Sequence, residues 1–487
     1  MSLAVLSIFS STALVGAQEA ETAAEEAIAE EAVLSEDAEL MAITEVTNGV
    51  IIYECDTSKK TATAIGVTDA ARGVVIPATV KSGSTTCNVT AIADGFCNGN
   101  QKIETVTFAT ATNLTSIGEN CFSYCPKLYI VTFNTSAKIK SIGNNCFYYC
   151  PKLTNVANLE KQTTLTDIGS SVFGLTPYMD EQTNEFVMFA NVLVKYNGTD
   201  TEVKVPSGTK AIADAFFGKD ITSIDLGDKL VTVGNNAFYG CKNLESITLP
   251  ATCTTVGDMA FAGCTSLKTV EYAGGLTSIG FCSFANCPEL KTFKNTSSKA
   301  SNLTTIGECA FWNDVRLYYL DVGEISNVNV GSFWNCFGQT PDEIGAIYYY
   351  RIPDTVKTIA EGGYGNLEFA YVTVPNNLTA IASTAFGSTS ASATYVVTKG
   401  SIGNSFFSGS GYRYIFYGDM NANGKIEYND IKTLAKYLAQ GINDLNYNYG
   451  KGVIADGDND GNITMKDLND VFRSIKEDVE AEQATAE

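Results

Sequence analysis

Apolar positions in the middle of the chain recur with a long period, unlike the short periods of a single helix or strand. The repeating unit reads L-x-x-I-G-x-x-A-F-x-x-C-x-x-L-x-x-I-x-L-P, as in LVTVGNNAFYGCKNLESITLP at residues 230–250. Anchored on its isoleucine or valine, the unit occurs thirteen times, at Ile92, Ile117, Ile142, Ile168, Ile212, Val233, Val256, Ile279, Ile306, Val328, Ile359, Ile381 and Ile402. One such unit cannot bury its own apolar face, so the copies are expected to stack into a solenoid.

The unit is similar to the bacterial surface repeats called BspA-like, whose signature is IGxxAFxxCxxL. Most steps are 21 to 27 residues long, the range of leucine-rich repeats. The resemblance covers residues 47–410 and implies a leucine-rich-repeat solenoid, rich in β structure, with one short parallel strand per repeat. The first segment, GVIIYECDTSKKTATAIG, is expected to cap the open N-terminal edge as a strand, a turn and a strand. A hairpin-like insertion at about 175–208 also resembles that family.

The strand of each repeat, xIxLP, is expected to direct the residues beside its central isoleucine outward. In early repeats these residues are small and weakly charged, such as Thr105 and Thr107, whereas later repeats place Tyr319, Tyr349 and Tyr371 there. Tyrosines on neighbouring rungs would lie about 5 Å apart per step. Tyrosine is both a common strand residue and a common interface anchor. This row is therefore a candidate surface for a glycan or protein ligand that the sequence does not identify.

Six of the 14 cysteines recur three residues after the phenylalanine of the repeat. They are Cys125, Cys150, Cys241, Cys264, Cys287 and Cys336. A residue that returns once per rung is expected to be a small buried hydrophobe with a reduced thiol. Two alternatives stay open. Disulfides could join Cys121 to Cys146 or Cys125 to Cys150 on adjacent rungs, or these four cysteines could bind zinc.

Two loops near the C-terminus have the spacing of calcium ligands. The first, DMNANGKIEYND, starts at residue 419, and the second, DGDNDGNITMKD, starts at residue 456. Each has oxygen donors at positions 1, 3, 5 and 12, a glycine at 6 and an isoleucine at 8, which lets a tight loop surround Ca²⁺. The predicted ligands are Asp419, Asn421, Asn423, the carbonyl of Lys425 and Asp430 in copy one, and Asp456, Asp458, Asp460, the carbonyl of Asn462 and Asp467 in copy two. Apolar residues at helical spacing follow both loops.

Duplicated loop-helix units without an entering helix resemble the type I dockerin, here over residues 417–477. The resemblance implies a small all-α module that binds two Ca²⁺ ions and attaches to a cohesin domain of a cellulosome-type scaffold. It also implies that loop positions 10 and 11 contact cohesin; these are Tyr428 and Asn429 in copy one, and Met465 and Lys466 in copy two. Because the two faces differ, one binding orientation is expected. A different interpretation is that calcium only stabilises the end of the solenoid.

The N-terminus carries a short apolar run followed by small residues, LAVLSIFSSTALVGA, typical of a secretory signal that ends at residue 17. The basic residues that usually precede such a run are missing. Residues 18–46 contain many glutamates and no lysine or arginine, so we expect a disordered acidic linker. Residues 478–487 form an acidic tail.

Charge and composition narrow the classes of function. The formal net charge of −22 argues against nucleic acid or an anionic membrane as a partner. After the signal, no stretch is long and apolar enough to insert into a membrane. The chain has no histidine, which excludes Ser-His-Asp and Cys-His catalysis. Paired carboxylates could still serve a glycosidase, but repeats and dockerin account for almost all residues that are expected to be ordered.

The sequence thus favours a secreted, non-catalytic recognition or adhesion solenoid that a calcium-dependent dockerin attaches to a cohesin-bearing scaffold. The alternative is a polysaccharide-degrading or protein-modifying enzyme of the same complex.

Overall fold

The computed structural model describes residues 43–108, 111–136, 138–297, 301–317, 319–323, 325–329, 331–336, 349–365, 371–387, 394–397, 401–410, 412–418, 426–439, 465–466, 468–469 and 471. These residues form two compact units. The first contains residues up to 165 together with 171–182, and the second contains 166–170 and the residues from 183 onward. The predicted signal (1–17), most of the predicted linker (18–46) and the acidic tail (478–487) lie outside the described residues.

The first unit begins with antiparallel strands and continues as stacked rungs. Its strands are β1 (Ile43–Asn48), β2 (Ile51–Asp56), β3 (Thr61–Val67), β4 (Gly73–Val75), β5 (Thr79–Ser82), β6 (Thr85–Ile92), β7 (Thr105–Thr107), β8 (Ser116–Ile117), β9 (Ile130–Thr132), β10 (Ser141–Ile142) and β11 (Asn155–Ala157), with a 3-10 helix at Leu159–Lys161 and an α-helix at Pro177–Asp180. Strand β2 pairs antiparallel with β1 and β3, and β3 pairs in parallel with β6. This is the predicted cap, extended by β1, which begins inside the stretch predicted as linker.

The second unit carries most of the rungs. Its strands are β12 (Asp167–Ile168), β13 (Phe186–Phe189), β14 (Val192–Tyr196), β15 (Glu202–Lys204), β16 (Ala211–Ile212), β17 (Ser223–Asp225), β18 (Thr232–Val233), β19 (Ser246–Leu249), β20 (Thr255–Val256), β21 (Thr269–Tyr272), β22 (Ser278–Ile279), β23 (Thr292–Asn295), β24 (Thr305–Ile306), β25 (Tyr319–Leu320), β26 (Asn327–Val328), β27 (Tyr349–Arg351), β28 (Thr358–Ile359), β29 (Tyr371–Thr373), β30 (Ala380–Ile381), β31 (Thr394–Val397) and β32 (Arg413–Phe416), and its helices are Ile402–Ser410 and Tyr428–Ala439. The antiparallel β13–β14 hairpin lies within the range predicted as an insertion, about 175–208, and β14 then starts the parallel series β16-β18-β20-β22-β24. None of the described helices has the length and apolar character needed to cross a bilayer.

Each complete rung supplies two short parallel strands, whereas the repeat pattern predicted one. Strand β19 pairs with β21 in the predicted sheet, and β18 pairs with β20 in a second sheet. The second strand has only two residues, too few to produce a visible alternation of apolar and polar positions. The glycine that follows it is needed for close rung stacking, because a Cβ at Gly257 would lie 2.5 Å from Asn235 Oδ1 and 2.7 Å from its main-chain nitrogen.

Parallel phenylalanine rings run through the core of each unit. In the first unit the ring centroids of Phe122 and Phe147 lie 5.2 Å apart, and those of Phe147 and Phe173 lie 5.2 Å apart. In the second unit the rings of Phe238 and Phe261 stack at 5.0 Å. All of these side chains are fully or almost fully buried. One aromatic ring per rung therefore supplies a large part of the apolar area that stacking removes from water.

The end of the solenoid departs from the repeat pattern. The thirteenth predicted copy, at Ile402, is an α-helix rather than a rung. The helix brings Phe407 onto the ring of Tyr395 at 4.5 Å and onto that of Phe386 at 5.2 Å. Covering the last aromatic rings of the stack is the physical reason for a helix here. Strand β32 then adds to the sheet beside β31, so the solenoid continues past residue 410.

Candidate functional site

The tyrosines predicted to form one row lie in two different sheets. Tyr349 and Tyr371 are register partners in the parallel strands β27 and β29. Tyr319 begins β25, which pairs with β23 through Thr292 at the end of another sheet. The structure therefore brings Tyr349 and Tyr371 onto neighbouring rungs, and strand pairing does not link Tyr319 to them. Their role in ligand binding stays a prediction.

The turn between the two strands of a rung forms a different surface. In these turns the residue two positions after the buried phenylalanine has a positive φ. In the first rung the same conformation occurs two positions after Cys97. Most rungs place a residue there that tolerates this conformation: Gly99, Gly218, Gly240, Gly263, Asn286, Asn313 and Asn335. Tyr124, Tyr149 and Leu175 occupy the same position with φ of 55°, 53° and 56°. Bulky side chains at positive φ are uncommon and add backbone strain.

Tyr124, Tyr148 and Tyr149 form a tyrosine cluster on this surface. Tyr124 and Tyr149 are 50% and 49% exposed, and Tyr148 is half-buried. The ring centroid of Tyr124 lies 5.7 Å from that of Tyr148 and 5.5 Å from that of Tyr149. Gly174 makes room for the ring of Tyr148, because a Cβ there would lie 3.0 Å from Cδ2 of that ring. Three aromatic rings from two adjacent rungs are thus presented together.

A lysine row, Lys102, Lys127 and Lys152, follows the same turns. Each lysine directly precedes the next buried apolar residue of its rung, and all three are exposed. Lys102 Nζ donates a hydrogen bond to the carbonyl of Asp69 over 2.7 Å. Within the part of the chain that the structure describes, no carboxylate pairs with Lys127 or Lys152. The row therefore carries positive charge that described side chains do not neutralise.

The six recurring cysteines form a buried cysteine column with free thiols. Five of them donate a hydrogen bond from Sγ to the carbonyl of the phenylalanine one rung earlier: Cys150 to Phe122, Cys241 to Phe216, Cys264 to Phe238, Cys287 to Phe261 and Cys336 to Phe311. Cys125 donates in the same way to the carbonyl of Cys97. The thiol thus combines small apolar volume with a weak donor at a place where a carbonyl lies within reach.

The two alternative cysteine chemistries are not present among the described residues. All 14 cysteines are free thiols in the structure, including Cys121, Cys146, Cys125 and Cys150. No group of three or more described Cys, Asp or Glu side chains is arranged to hold a metal ion.

One rung replaces the cysteine of the column with an aspartate. Asp314 lies three residues after Phe311 and is fully buried. Its Oδ1 accepts a hydrogen bond from the main-chain nitrogen of Cys287 over 2.8 Å, and its Oδ2 has no hydrogen-bond partner. Burial raises the pKa of the Asp314 carboxyl well above its usual range. The column therefore contains a carboxyl group for which the neutral form is favoured.

Most of the predicted calcium ligands lie outside the described residues. They are Asp419, Asn421, Asn423, Lys425, Asp456, Asp458, Asp460, Asn462 and Asp467. Asp430 is described: it lies in the first turn of the helix Tyr428–Ala439 and is fully buried. Its Oδ2 accepts a hydrogen bond from the main-chain nitrogen of Glu427 over 2.8 Å, as the third residue of a helix does in a capping box. A buried carboxylate at the end of an all-oxygen donor set fits a hard cation such as Ca²⁺.

Residues of the two loop-helix copies pack together. Leu434 of the first helix and Val471 of the second copy are buried. A Cβ at Gly418 would lie 3.1 Å from Val471 Cγ2 and 3.6 Å from Ile426 Cγ2, so these three residues enclose one small core. Ile426 is the apolar residue at loop position 8. The apolar periodicity behind the first loop corresponds to the helix Tyr428–Ala439, on which Leu434 is buried.

The residues predicted to contact cohesin are on the surface. Tyr428 is 65% exposed and Met465 is 60% exposed. Asn429 and Lys466 beside them are exposed as well. Lys432 Nζ lies 4.8 Å from the ring centroid of Tyr428, a cation–π contact that orients this tyrosine. Both copies thus present loop positions 10 and 11 to solvent.

The repeat region matches a known sequence family. The profile of the BspA type leucine rich repeat region, built from six copies, matches residues 79–183, 209–339 and 344–426, well over half of the chain. The chain belongs to the BspA-type leucine-rich repeat proteins. The family resemblance inferred from the repeat motif is confirmed. The last matched segment of this BspA-type protein ends inside the first predicted calcium loop.

Solved structures of other leucine-rich repeat proteins are similar to this BspA-type chain. A leucine-rich cell surface protein from Faecalibacterium prausnitzii is 21% identical, with 75% of this chain and 97% of that chain covered and a TM-score of 0.30. A leucine-rich repeat protein from Bacteroides ovatus is 16% identical, with 76% and 99% covered and a TM-score of 0.36. The pneumococcal vaccine antigen PcpA is 14% identical, with 77% and 98% covered and a TM-score of 0.34. No curated protein sequence matches the chain.

Sequence reasoning missed two features of this BspA-type solenoid. The buried positions of the repeat do not predict the tyrosine cluster, because the informative position lies between them. Aligning that position shows glycine or asparagine in most rungs and Tyr124 or Tyr149 in two. The same alignment shows Asp314 in a column of cysteines. Both signals are present in the sequence, but only the structure shows that one position is exposed and the other is buried.

Proposed function

We propose that this BspA-type protein is a secreted, non-catalytic recognition or adhesion protein, in which the solenoid binds a ligand and the C-terminal module attaches it to a scaffold. The observation that carries the recognition role is the tyrosine cluster. The exposed rings of Tyr124 and Tyr149 contribute nothing to the buried stack of phenylalanines. Both residues have a positive φ, which glycine or asparagine would adopt with less strain. Surface tyrosines supply large contact areas at a low entropy cost, which suits a binding site.

The attachment role rests on the two loop-helix copies. The proposed module is a type I dockerin that binds two Ca²⁺ ions and a cohesin domain. Three observations support it: the buried carboxylate of Asp430 at the start of a helix, the small core shared by Ile426 and Val471, and the exposure of Tyr428 and Met465 at equivalent loop positions. With calcium bound, the ion would hold the loop carboxylates together and so order the helices that follow them.

Two measurements test these roles separately. The full chain is mixed with a panel of immobilised cohesin domains in calcium and in chelator; retention in calcium alone supports the dockerin, and no retention on any cohesin contradicts it. The full chain is then applied to arrays of glycans and of proteins. A ligand whose binding survives in chelator supports recognition by the solenoid, whereas hydrolysis of an arrayed glycan would show that the protein is an enzyme.

A further inference from the structure

The tyrosine cluster and the lysine row share the same rungs of the first unit. Tyr124 and Lys127 belong to one rung, and Tyr149 and Lys152 belong to the next, with a spacing of three residues in both. A buried cysteine separates the tyrosine from the lysine in each rung. We propose that the cluster and the row form one binding site for an anionic glycan, a polysaccharide that carries uronate carboxylates. This inference rests on the proposed recognition role of the solenoid and names its ligand class.

The lysine row supplies the electrostatic part of the argument. The lysines lie in turns, one on each successive rung, and rungs whose strands pair are about 4.8 Å apart there. Like charges that recur from rung to rung repel each other unless an anion lies near them. The whole chain has a net charge of −22, which makes an uncompensated row of cations unusual in it. A polymer with a carboxylate on each sugar would neutralise the row when it lies along the rungs.

The tyrosine cluster supplies the apolar part. The rings of Tyr124 and Tyr149 are half-exposed, and the third ring is held on the backbone at Gly174. A pyranose ring has one face of C–H groups that packs on an aromatic ring, and its hydroxyls can reach the phenol oxygens. Tyrosine provides both contacts, whereas phenylalanine provides only the first and leucine provides neither.

The backbone of this surface argues against a peptide ligand. A peptide strand gains affinity by pairing with free main-chain groups at a sheet edge. Here the main-chain nitrogen of Tyr124 donates to the carbonyl of Tyr148 over 2.8 Å, and that of Tyr149 donates to the carbonyl of Gly174 over 2.9 Å. The main-chain N–H groups at these positions are therefore already used and cannot pair with a peptide strand. A ligand read through ring faces and charges fits this surface better than an extended acidic peptide.

The test uses the full chain in chelator, which removes calcium bridges between uronates and inactivates the proposed dockerin. Binding to polygalacturonate is measured by affinity electrophoresis and calorimetry. Two control polymers are measured in the same way: a carboxyl-reduced form of polygalacturonate, which lacks the charge, and polyglutamate, which lacks the sugar. The expected result is binding to polygalacturonate that weakens with salt, with much weaker binding to the other two polymers. Binding to polyglutamate of equal strength, or no binding to polygalacturonate, would overturn the proposal.

Two double variants locate the site. Y124N/Y149N installs the residue that three other rungs carry at this position, so the fold is retained and the thermal midpoint stays equal or rises. This variant and K127Q/K152Q should each weaken polygalacturonate binding about tenfold or more. If the lysine variant loses binding and the tyrosine variant keeps it, the attraction is only charge and the proposed site is wrong.

A matched control comes from the second unit. Phe217 and Tyr239 are exposed and stacked at 5.0 Å, but the lysine position in their rungs is taken by Asp220 and Asn243. F217A/Y239A should leave polygalacturonate binding unchanged. All variants should bind cohesin in calcium as the unaltered chain does. A variant that loses glycan binding but keeps cohesin binding has lost this site alone. A variant that loses both glycan binding and cohesin binding is misfolded, and a lowered thermal midpoint would show this.

Discussion

The thiol of Cys264 donates a hydrogen bond to the main-chain carbonyl of Phe238, one rung earlier, over 3.2 Å. Four other rungs repeat this contact between a column cysteine and the preceding phenylalanine. The cysteine therefore does more than fill space: it links successive rungs through a donor that alanine or valine lacks. Its recurrence once per repeat has both an apolar and a polar reason.

Cys264→Ala should destabilise the protein by about 1 to 2 kcal/mol, because it leaves a small cavity and removes the donor. Cys264→Ser should cost less than Cys264→Ala, since the hydroxyl can donate to the same carbonyl. Cys97 provides the control: it is buried, and its thiol has no hydrogen bond to any described residue. Serine there should be no better than alanine. Urea unfolding of the four variants measures this, and equal costs for serine and alanine at position 264 would contradict the role of the hydrogen bond.

All 14 cysteines should be reactive when the protein is purified without reductant and unfolded before thiol counting. In the folded protein the same reagent should react slowly with Cys241 and Cys253, which are buried. Burial raises the pKa of Cys241 to about 12 and that of Cys253 to about 11, so few thiolates form at neutral pH. A count well below the full number in the unfolded chain would show that disulfides form, with Cys125 and Cys150 the first pair to examine by mass spectrometry.

The stability of the folded chain should fall with rising pH because of Asp314. Its pKa is raised in the folded state, so its contribution is fully present below the unfolded-state pKa of about 3.9 and is lost as pH rises toward the folded value. Within that window the loss is about 1.4 kcal/mol per pH unit. Asp314→Asn carries no charge, keeps an acceptor for the Cys287 nitrogen and should remove this slope. Cys264, Cys287 and Cys336 are the titratable neighbours in the column.

Unfolding curves of the unaltered chain and Asp314→Asn from pH 4 to pH 8 measure the effect. The advantage of the variant should grow with pH. Asp314→Cys, which restores the column, should behave like the asparagine variant. Parallel curves for the three proteins would mean that Asp314 is ionised in the folded state.

Calcium should bind the C-terminal loops with two unequal affinities. Copy two offers four aspartates at ligand positions, Asp456, Asp458, Asp460 and Asp467, whereas copy one offers Asp419 and Asp430 with two asparagines. More ligand charge gives tighter binding, so copy two should fill first. Calorimetric titration of the calcium-free chain should show two steps, and Asp456→Ala should remove the tighter one. Two equal sites would contradict this ranking.

Calcium should also be required for helix formation in this module, because empty clusters of carboxylates repel each other. Circular dichroism during the same titration should show helix content rising with the first equivalent. Helix content that does not change in chelator would show that the module folds without the ion.

Cohesin should bind in one orientation, since loop positions 10 and 11 are Tyr428 and Asn429 in one copy and Met465 and Lys466 in the other. Replacing the first pair with the second, or the second with the first, should affect a given cohesin unequally. The exchange that weakens binding about tenfold or more identifies the pair on the contact face. Equal losses from both exchanges would indicate two equivalent binding modes.

The sequence by itself determined the architecture of the solenoid. A rung contacts the copy one repeat before and one repeat after it, so any residue type that returns with the repeat must occupy an equivalent place in the stack. This is why Ile117, Phe122, Cys125 and Leu128 could be assigned to the core from their spacing alone, and all four are buried. The helix after the first predicted calcium loop followed from a similarly local pattern.

Only the tertiary structure decided what the positions between the core residues do. Strands of two residues, such as β18 and β20, carry no periodicity and appear only when rungs are stacked. The direction of Tyr124 and Tyr149 depends on a positive φ in the turn, which their side chains do not favour and which the hydrogen bonds to the next rung impose. Asp314 looks like a surface residue in the sequence and is buried because it occupies the column of cysteines. Repetition fixes where a residue lies along the stack, but exposure and partners depend on contacts between rungs that no single repeat contains.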